Sequence, residues 1–205
     1  MPHITLNDKE RLKLYKTIQS DRPLQIAFRS WNLYEYPNVP KATNHVWRIK
    51  TSSQLEKPRF VIFALQTHRL GFPMKNATEF DSDNIVNFKV FLNSEMYPYD
   101  NLKTSFDENK IADLYYMYSK FQESYYGANV SQPLLNSLDY KISTPLVVVD
   151  CSHQNEIVKS GPVDVKIEFE VDKDSIRDYT SAFCLLLHDR VVEYTPLSGN
   201  VRKLL

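Results

Sequence analysis

The residues best placed to do chemistry form one short run, Asp150-Cys151-Ser152-His153. A cysteine and a histidine two residues apart on a strand point to the same face, so a thiolate–imidazole nucleophile can be drawn there. The plainer reading is that the strand ends at Asp150, the polar run after it is a loop, and the thiol is packing. A second cluster, Glu79, Asp81 and Asp83, could hold a cation loosely, but it lacks the ordered spacing of a calcium loop and reads as a solvated loop. His3, His45, His68, His153 and His188 are scattered singly with no His-x-His, whereas a metal needs three or four convergent ligands. No phosphate-binding glycine loop, nucleophile elbow, His-Glu-x-x-His or Cys-x-x-Cys occurs. We therefore assign no catalytic, cofactor-binding or metal residue and expect no cofactor.

Aromatic residues are the other anomaly. The chain has 13 Tyr, several in pairs: Tyr34 and Tyr36, Tyr97 and Tyr99, Tyr115 and Tyr116, Tyr125 and Tyr126. Tyrosine suits interfaces, where one edge is dry and the hydroxyl finds a partner. Stacking on single-stranded nucleic acid would need a basic groove alongside. Lys13, Lys16, Arg22, Arg29 and Arg48 are the candidates, and they alternate with acids. Core or interface use is the expectation, with plain packing for Tyr115 and Tyr118.

The elements that would position these residues are mostly strands. Val163, Val165, Ile167, Phe169 and Val171 alternate with charged residues, the mark of a strand with one dry face. Phe88, Val90 and Leu92 alternate less cleanly. The apolar runs 60–65 and 146–149 suit strands covered on both sides. Residues 24–36, 45–50, 181–187 and 191–194 are further strands. His188-Asp189-Arg190 reads as a tight turn making a hairpin, with a bulge in one long strand as the alternative. Two helices interrupt the pattern. Asn7 with Glu10 resembles a capping box ahead of a short helix ending near Ser20. Ile111, Leu114, Tyr115, Tyr118 and Tyr125 recur at helical spacing over 107–126, with Asp107 as cap and Gly127 as the left-handed stop. About eight strands with one helical insertion predict an all-β fold: an antiparallel sandwich of jelly-roll type, as a single domain over 1–205.

Composition bounds the function classes. Lys+Arg and Asp+Glu both number 25, so net charge is zero, which gives no general attraction to nucleic acid or anionic membrane. Two cysteines, Cys151 and Cys184, make no disulfide framework. The opening ten residues have no apolar run of leader type, and no apolar run approaches bilayer length. The glycosylation triplets at Asn76 and Asn129 read as chance. We expect a protein of cytoplasm or nucleus, with no membrane partner and no sequence-specific nucleic acid.

Six stretches carry a resemblance: 23–36 (PLQIAFRSWNLYEY), 54–67 (QLEKPRFVIFALQT), 91–99 (FLNSEMYPY), 113–127 (DLYYMYSKFQESYYG), 149–169 (VDCSHQNEIVKSGPVDVKIEF) and 182–199 (AFCLLLHDRVVEYTPLSG). Together they resemble the C-terminal part of major capsid-like proteins of polinton- and adintovirus-type elements, many integrated in invertebrate genomes. The resemblance implies a jelly roll that pairs with a second jelly roll in one polypeptide and assembles as capsomers, with no catalytic residues. This chain has length for one roll only, so it is either part of a longer protein or a stand-alone derivative. The leading expectation is a structural, self-assembling capsid-type unit whose partner is another copy or a second jelly roll. A jelly-roll module binding a protein or a carbohydrate is the second expectation, and a cupin-like or thiol enzyme the third.

Overall fold

The computed structural model describes residues 4–49, 58–69, 71–127, 133–152 and 163–204. Within them lie α1 (Asp8–Gln19), β1 (Leu24–Tyr36), β2 (Asn44–Ile49), β3 (Phe60–Thr67), β4 (Ile85–Leu92), β5 (Glu95–Tyr97), α2 (Ala112–Tyr126), α3 (Ser137–Ser143), β6 (Val147–Asp150), β7 (Val165–Val171), β8 (Thr180–Thr195) and β9 (Asn200–Lys203). One sheet has the order β1-β8-β3-β6, with β9 also on β8; the other has the order β2-β7-β4-β5. Apart from the β4–β5 hairpin, successive strands from β1 to β8 alternate between the sheets, which is the jelly-roll connection. The sandwich of antiparallel sheets is as expected, with β5 and β9 added.

The chain resolves into two compact units, Trp31–His188 and Met1–Ser30 with Asp189–Leu205; β1 and β8 contribute to both. In the larger unit, alternation does the folding work. Val61, Phe63 and Leu65 of β3, Phe88, Val90 and Leu92 of β4, Val165, Ile167 and Phe169 of β7, and Ala182, Cys184 and Leu186 of β8 make one buried core. Phe63 sits at its centre, its ring 4.8 Å from Phe88 and 4.9 Å from Phe169. The register places Phe88 opposite Phe169 and Val90 opposite Ile167, so inward residues match across the ladder. In the smaller unit, Asn7 caps α1 by accepting from the Glu10 N–H, while Glu10 itself pairs with Lys13. The reciprocal half of a capping box is therefore replaced by an ion pair along the helix.

Two expectations are corrected and one helix is added. The long helix begins at Ala112, not at 107. Ser105 and Lys110 close a small bridge, Asn109 takes φ +60°, and Asp107 accepts from the Asn84 amide instead of capping. A left-handed residue cannot sit inside an α-helix, so the helix waits until the turn is complete. Its end is as expected: Gly127, at φ +65°, donates its N–H to the Glu123 carbonyl. The hairpin at His188-Asp189-Arg190 does not form, because β8 runs unbroken from Thr180 to Thr195. The reversal comes later, where Gly199 at φ +68° donates to the Thr195 carbonyl and β9 pairs back along 192–195. The added helix, α3, was not anticipated. Asn136 caps it, accepting from the N–H groups of Leu138 and Asp139, and it buries Tyr140, whose hydroxyl donates to the Leu146 carbonyl at 2.8 Å.

Candidate functional site

Cys151 follows the last residue of β6 and is wholly buried, its N–H donating to the Arg59 carbonyl and its Sγ lying 3.9 Å from the Val149 carbonyl. Its sequence partner His153 lies outside the described residues. Cys184 is equally buried in β8, and burial, reinforced by Cys151, pushes its thiol well above the usual range. A thiol held neutral is a poor nucleophile. His45 is buried with its ring stacked on Phe169 and its Nε2 at 2.8 Å from the Ala42 carbonyl; burial lowers its pKa, which favours the neutral ring. Among the described residues no three His, Cys, Asp or Glu side chains converge as a metal set.

The acidic cluster is not a solvated loop. Asp81 accepts the Thr67 N–H through Oδ2 at 2.9 Å, and its Oδ1 takes Arg69 at 3.2 Å and Arg177 at 2.9 Å. The Asp83 side chain is only 2% exposed, and its Oδ1 receives Arg177 Nε and Nη2 at 3.2 and 3.0 Å. Thr67 donates to its Oδ2 at 3.4 Å and meets the Thr180 hydroxyl at 2.8 Å. Burial raises the Asp83 pKa, with Arg177 opposing it. Two carboxylates and two guanidiniums thus tie the ends of β3 and β8 to the 81–83 segment. This is a structural clamp rather than a cation site, because the carboxylate oxygens already hold guanidinium and backbone donors. Arg69 and Arg177 escaped the sequence reading since Arg177 is 94 residues from Asp83 and no motif joins them.

The tyrosines divide between core and surface. Tyr34, Tyr36, Tyr115 and Tyr118 pack against the core, and Tyr97 is buried, while Tyr99, Tyr116 and Tyr126 are exposed. More informative is the outer face of the β1-β8-β3-β6 sheet. Leu185 of β8, Ile62 of β3 and Val148 of β6 lie in register across it, as do Leu187 and Phe60 one pair along. The α2 helix covers one end, with Phe121 edge-on to Phe60 at 5.0 Å and Tyr125 edge-on to Trp31 at 5.5 Å. Beyond it, Ile62, Phe183 and Leu185 are half-buried, Trp31 is 47% exposed and Leu33 63%. This sheet carries apolar side chains on both faces, and those of the outer face are only partly covered. Such a surface binds by burying area.

The opposite sheet differs. Its outer face carries a hollow of about 470 Å³ lined by Asn44, Asn87, Asn101, Lys89 and Glu168. Phe91 is its non-histidine aromatic other than Phe169, and Lys166 Nζ lies 3.9 Å over the Phe91 ring. A stacking platform for a sugar is therefore partly occupied already. The basic candidates lie on separate elements: Lys13 and Lys16 on α1, Arg22 just before β1, Arg29 on β1, where it pairs with Asp189, and Arg48 on β2. No helix among the described residues is long and apolar enough to cross a membrane.

Comparison with known proteins adds family and fold. A family model described as a double jelly roll-like domain matches residues 1–192. No curated protein sequence matches. Among solved structures, PBCV-1 VP54, as fitted into a reconstruction of the virophage Sputnik, is 8% identical with a TM-score of 0.53, covering 98% of this chain and 55% of that one. A model of the PBCV-1 virus capsid gives 7% identity, a TM-score of 0.51 and the same coverage, 98% and 55%. The mavirus major capsid protein gives 10% identity and a TM-score of 0.45, covering 91% of this chain and 42% of its own. The chain thus spans about half the length, or less, of the capsid structures it is similar to.

Proposed function

The chain belongs to the double jelly roll-like family, and from that premise we propose that it is a capsid-type building block, related to the major capsid-like proteins of polinton- and adintovirus-type elements. Family membership is the observation that carries this reading. The half-covered apolar outer face beyond α2 supports it, since a structural unit needs a dry surface against its neighbours. Its partner is another copy of itself or a second jelly roll, and its place is the virion or the host cytoplasm or nucleus. It performs no catalysis: the thiols are buried, and the carboxylates serve a clamp.

Purified protein, concentrated over a range of salt and followed by light scattering and negative-stain microscopy, should form oligomers or particles of defined size. A clean monomer at high concentration under every salt condition would overturn the capsid reading. The alternative of a carbohydrate-binding module is not favoured by the polar hollow, whose half-buried Phe91 ring is capped by Lys166.

A further inference from the structure

The strand β1 lies at the end of its sheet order, paired to β8 on one side and to no other strand among the described residues. Open edges are normally blunted by lysine, proline, a bulge or short length. Running from Leu24 to Tyr36, β1 is long and contains neither lysine nor proline. Phe28, Trp31 and Leu33 on it are 46%, 47% and 63% exposed. Its only charged residues are Arg29 and Glu35.

We propose that β1 pairs antiparallel with β1 of a second copy across a two-fold axis at Asn32, joining the two sheets edge to edge. The occupant follows from charge complementarity. A two-fold perpendicular to the sheet keeps each face on its own side, so residues of the same parity oppose one another. With Asn32 facing its twin, Arg29 falls opposite Glu35 of the other copy, and Trp31 opposite Leu33. Ser30 meets Tyr34 and Phe28 meets Tyr36. The outer face of the joint is then an apolar centre of two Trp–Leu pairs flanked by two ion pairs. Shifting the axis by one residue either way sets Arg29 against Leu33, or Glu35 against Trp31, and both ion pairs are lost. Within 28–36, one register therefore matches both charged residues, Arg29 and Glu35, and the apolar Trp31 and Leu33 against a copy of the same strand. Arg29 also meets Asp189 at 3.4 Å, and a guanidinium with five N–H donors can serve two carboxylates on one face. This inference rests on β1 alone and not on the capsid reading; a dimer of this kind forms whether or not particles do.

Two experiments on the full chain test it. Asn32→Cys should give a disulfide-linked dimer on mild oxidation, because opposed Cα atoms in an antiparallel pair lie about 4.5–5.5 Å apart. Glu35→Cys should not, since its twin lies about 20 Å away along the strands. The native thiols are buried, so the parent chain serves as blank. Separately, Arg29→Glu and Glu35→Arg should each weaken the homodimer about tenfold in Kd by sedimentation, through two like-charge pairs. Mixing the two variants should restore affinity, because both cross-strand pairs then become opposite in sign. Any cost of the Arg29 change within its own chain is the same in the homodimer and the mixture, so it cannot imitate this rescue. Equal cross-linking at both cysteines, no rescue on mixing, or a chain that stays monomeric and uncrosslinked would overturn the pairing and leave the edge to a different strand.

Discussion

Replacing Arg177 by alanine removes the cation that faces Asp83. That carboxylate is 2% exposed and keeps one long bond from Thr67, at 3.4 Å, once the two guanidinium donors at 3.2 and 3.0 Å are gone. Stripping the partner from a fully buried ion costs about 3–5 kcal/mol. Arg177 is 55% exposed, so water screens part of its attraction and enters when it is cut back, and we expect about 2 kcal/mol at neutral pH. The pH dependence carries the diagnosis. Burial already raises the Asp83 pKa while Arg177 opposes it, so the variant raises it further. A carboxyl whose folded pKa lies above its unfolded value of about 3.9 holds more protons folded than unfolded, and stability falls as pH rises between the two. The penalty is complete above the folded pKa and fades as pH drops toward the unfolded one. Urea unfolding followed by intrinsic fluorescence should therefore show a larger loss at pH 7 than at pH 5, with the urea slope unchanged. Placing Asp83→Asn in the Arg177→Ala background should recover part of the loss, because no buried charge remains. A loss under about 0.5 kcal/mol at pH 7, or one that grows on acidification, would refute the clamp.

Two further outcomes follow from the core. Phe63→Ala should cost about 3–5 kcal/mol in the same assay, since its ring is fully buried between Phe88 and Phe169; a loss under about 1 kcal/mol would mean that the sheets repack around the gap. A thiol reagent at neutral pH should leave both cysteines unreacted in the native protein and modify both after unfolding, because Cys151 and Cys184 are buried and the Cys184 thiol is pushed up. Rapid native modification would reopen the nucleophile reading.

What could be read in advance was whatever repeats locally. The β7 alternation and the apolar run of β3 depend on near neighbours, and both became strands with their inner residues in the core. The Asn7 cap and the Gly127 stop are equally local. Interactions closing over long stretches of chain were not legible. Asp81 and Asp83 look like loop acids until Arg177 arrives from nearly the other end. His188-Asp189-Arg190 carries turn-like polarity, yet β8 continues through it, and the side chain of His188 ends buried. Asp107 had a cap's position and found Asn84 instead. In each case a residue with two local options was decided by a partner that the local pattern cannot name.

Reactive side chains among the described residues are held by structure: thiols in the sandwich, Asp81 and Asp83 in the clamp, the His45 ring stacked on Phe169 and the His68 ring tilted against Tyr179. On the β1-β8-β3-β6 sheet, apolar side chains stay part-exposed at Ile62, Phe183 and Leu185 on its outer face and at Trp31 and Leu33 near its β1 edge. Keeping such residues at a surface has a cost in solubility, since each exposes area that folding could have hidden. The hollow on the opposite sheet is lined by amides, by Lys89 and by Glu168, whose carboxylate pairs with Lys166. A part-covered apolar sheet face and a long strand edge without lysine or proline are the features that fit the proposed role of a unit meeting other units.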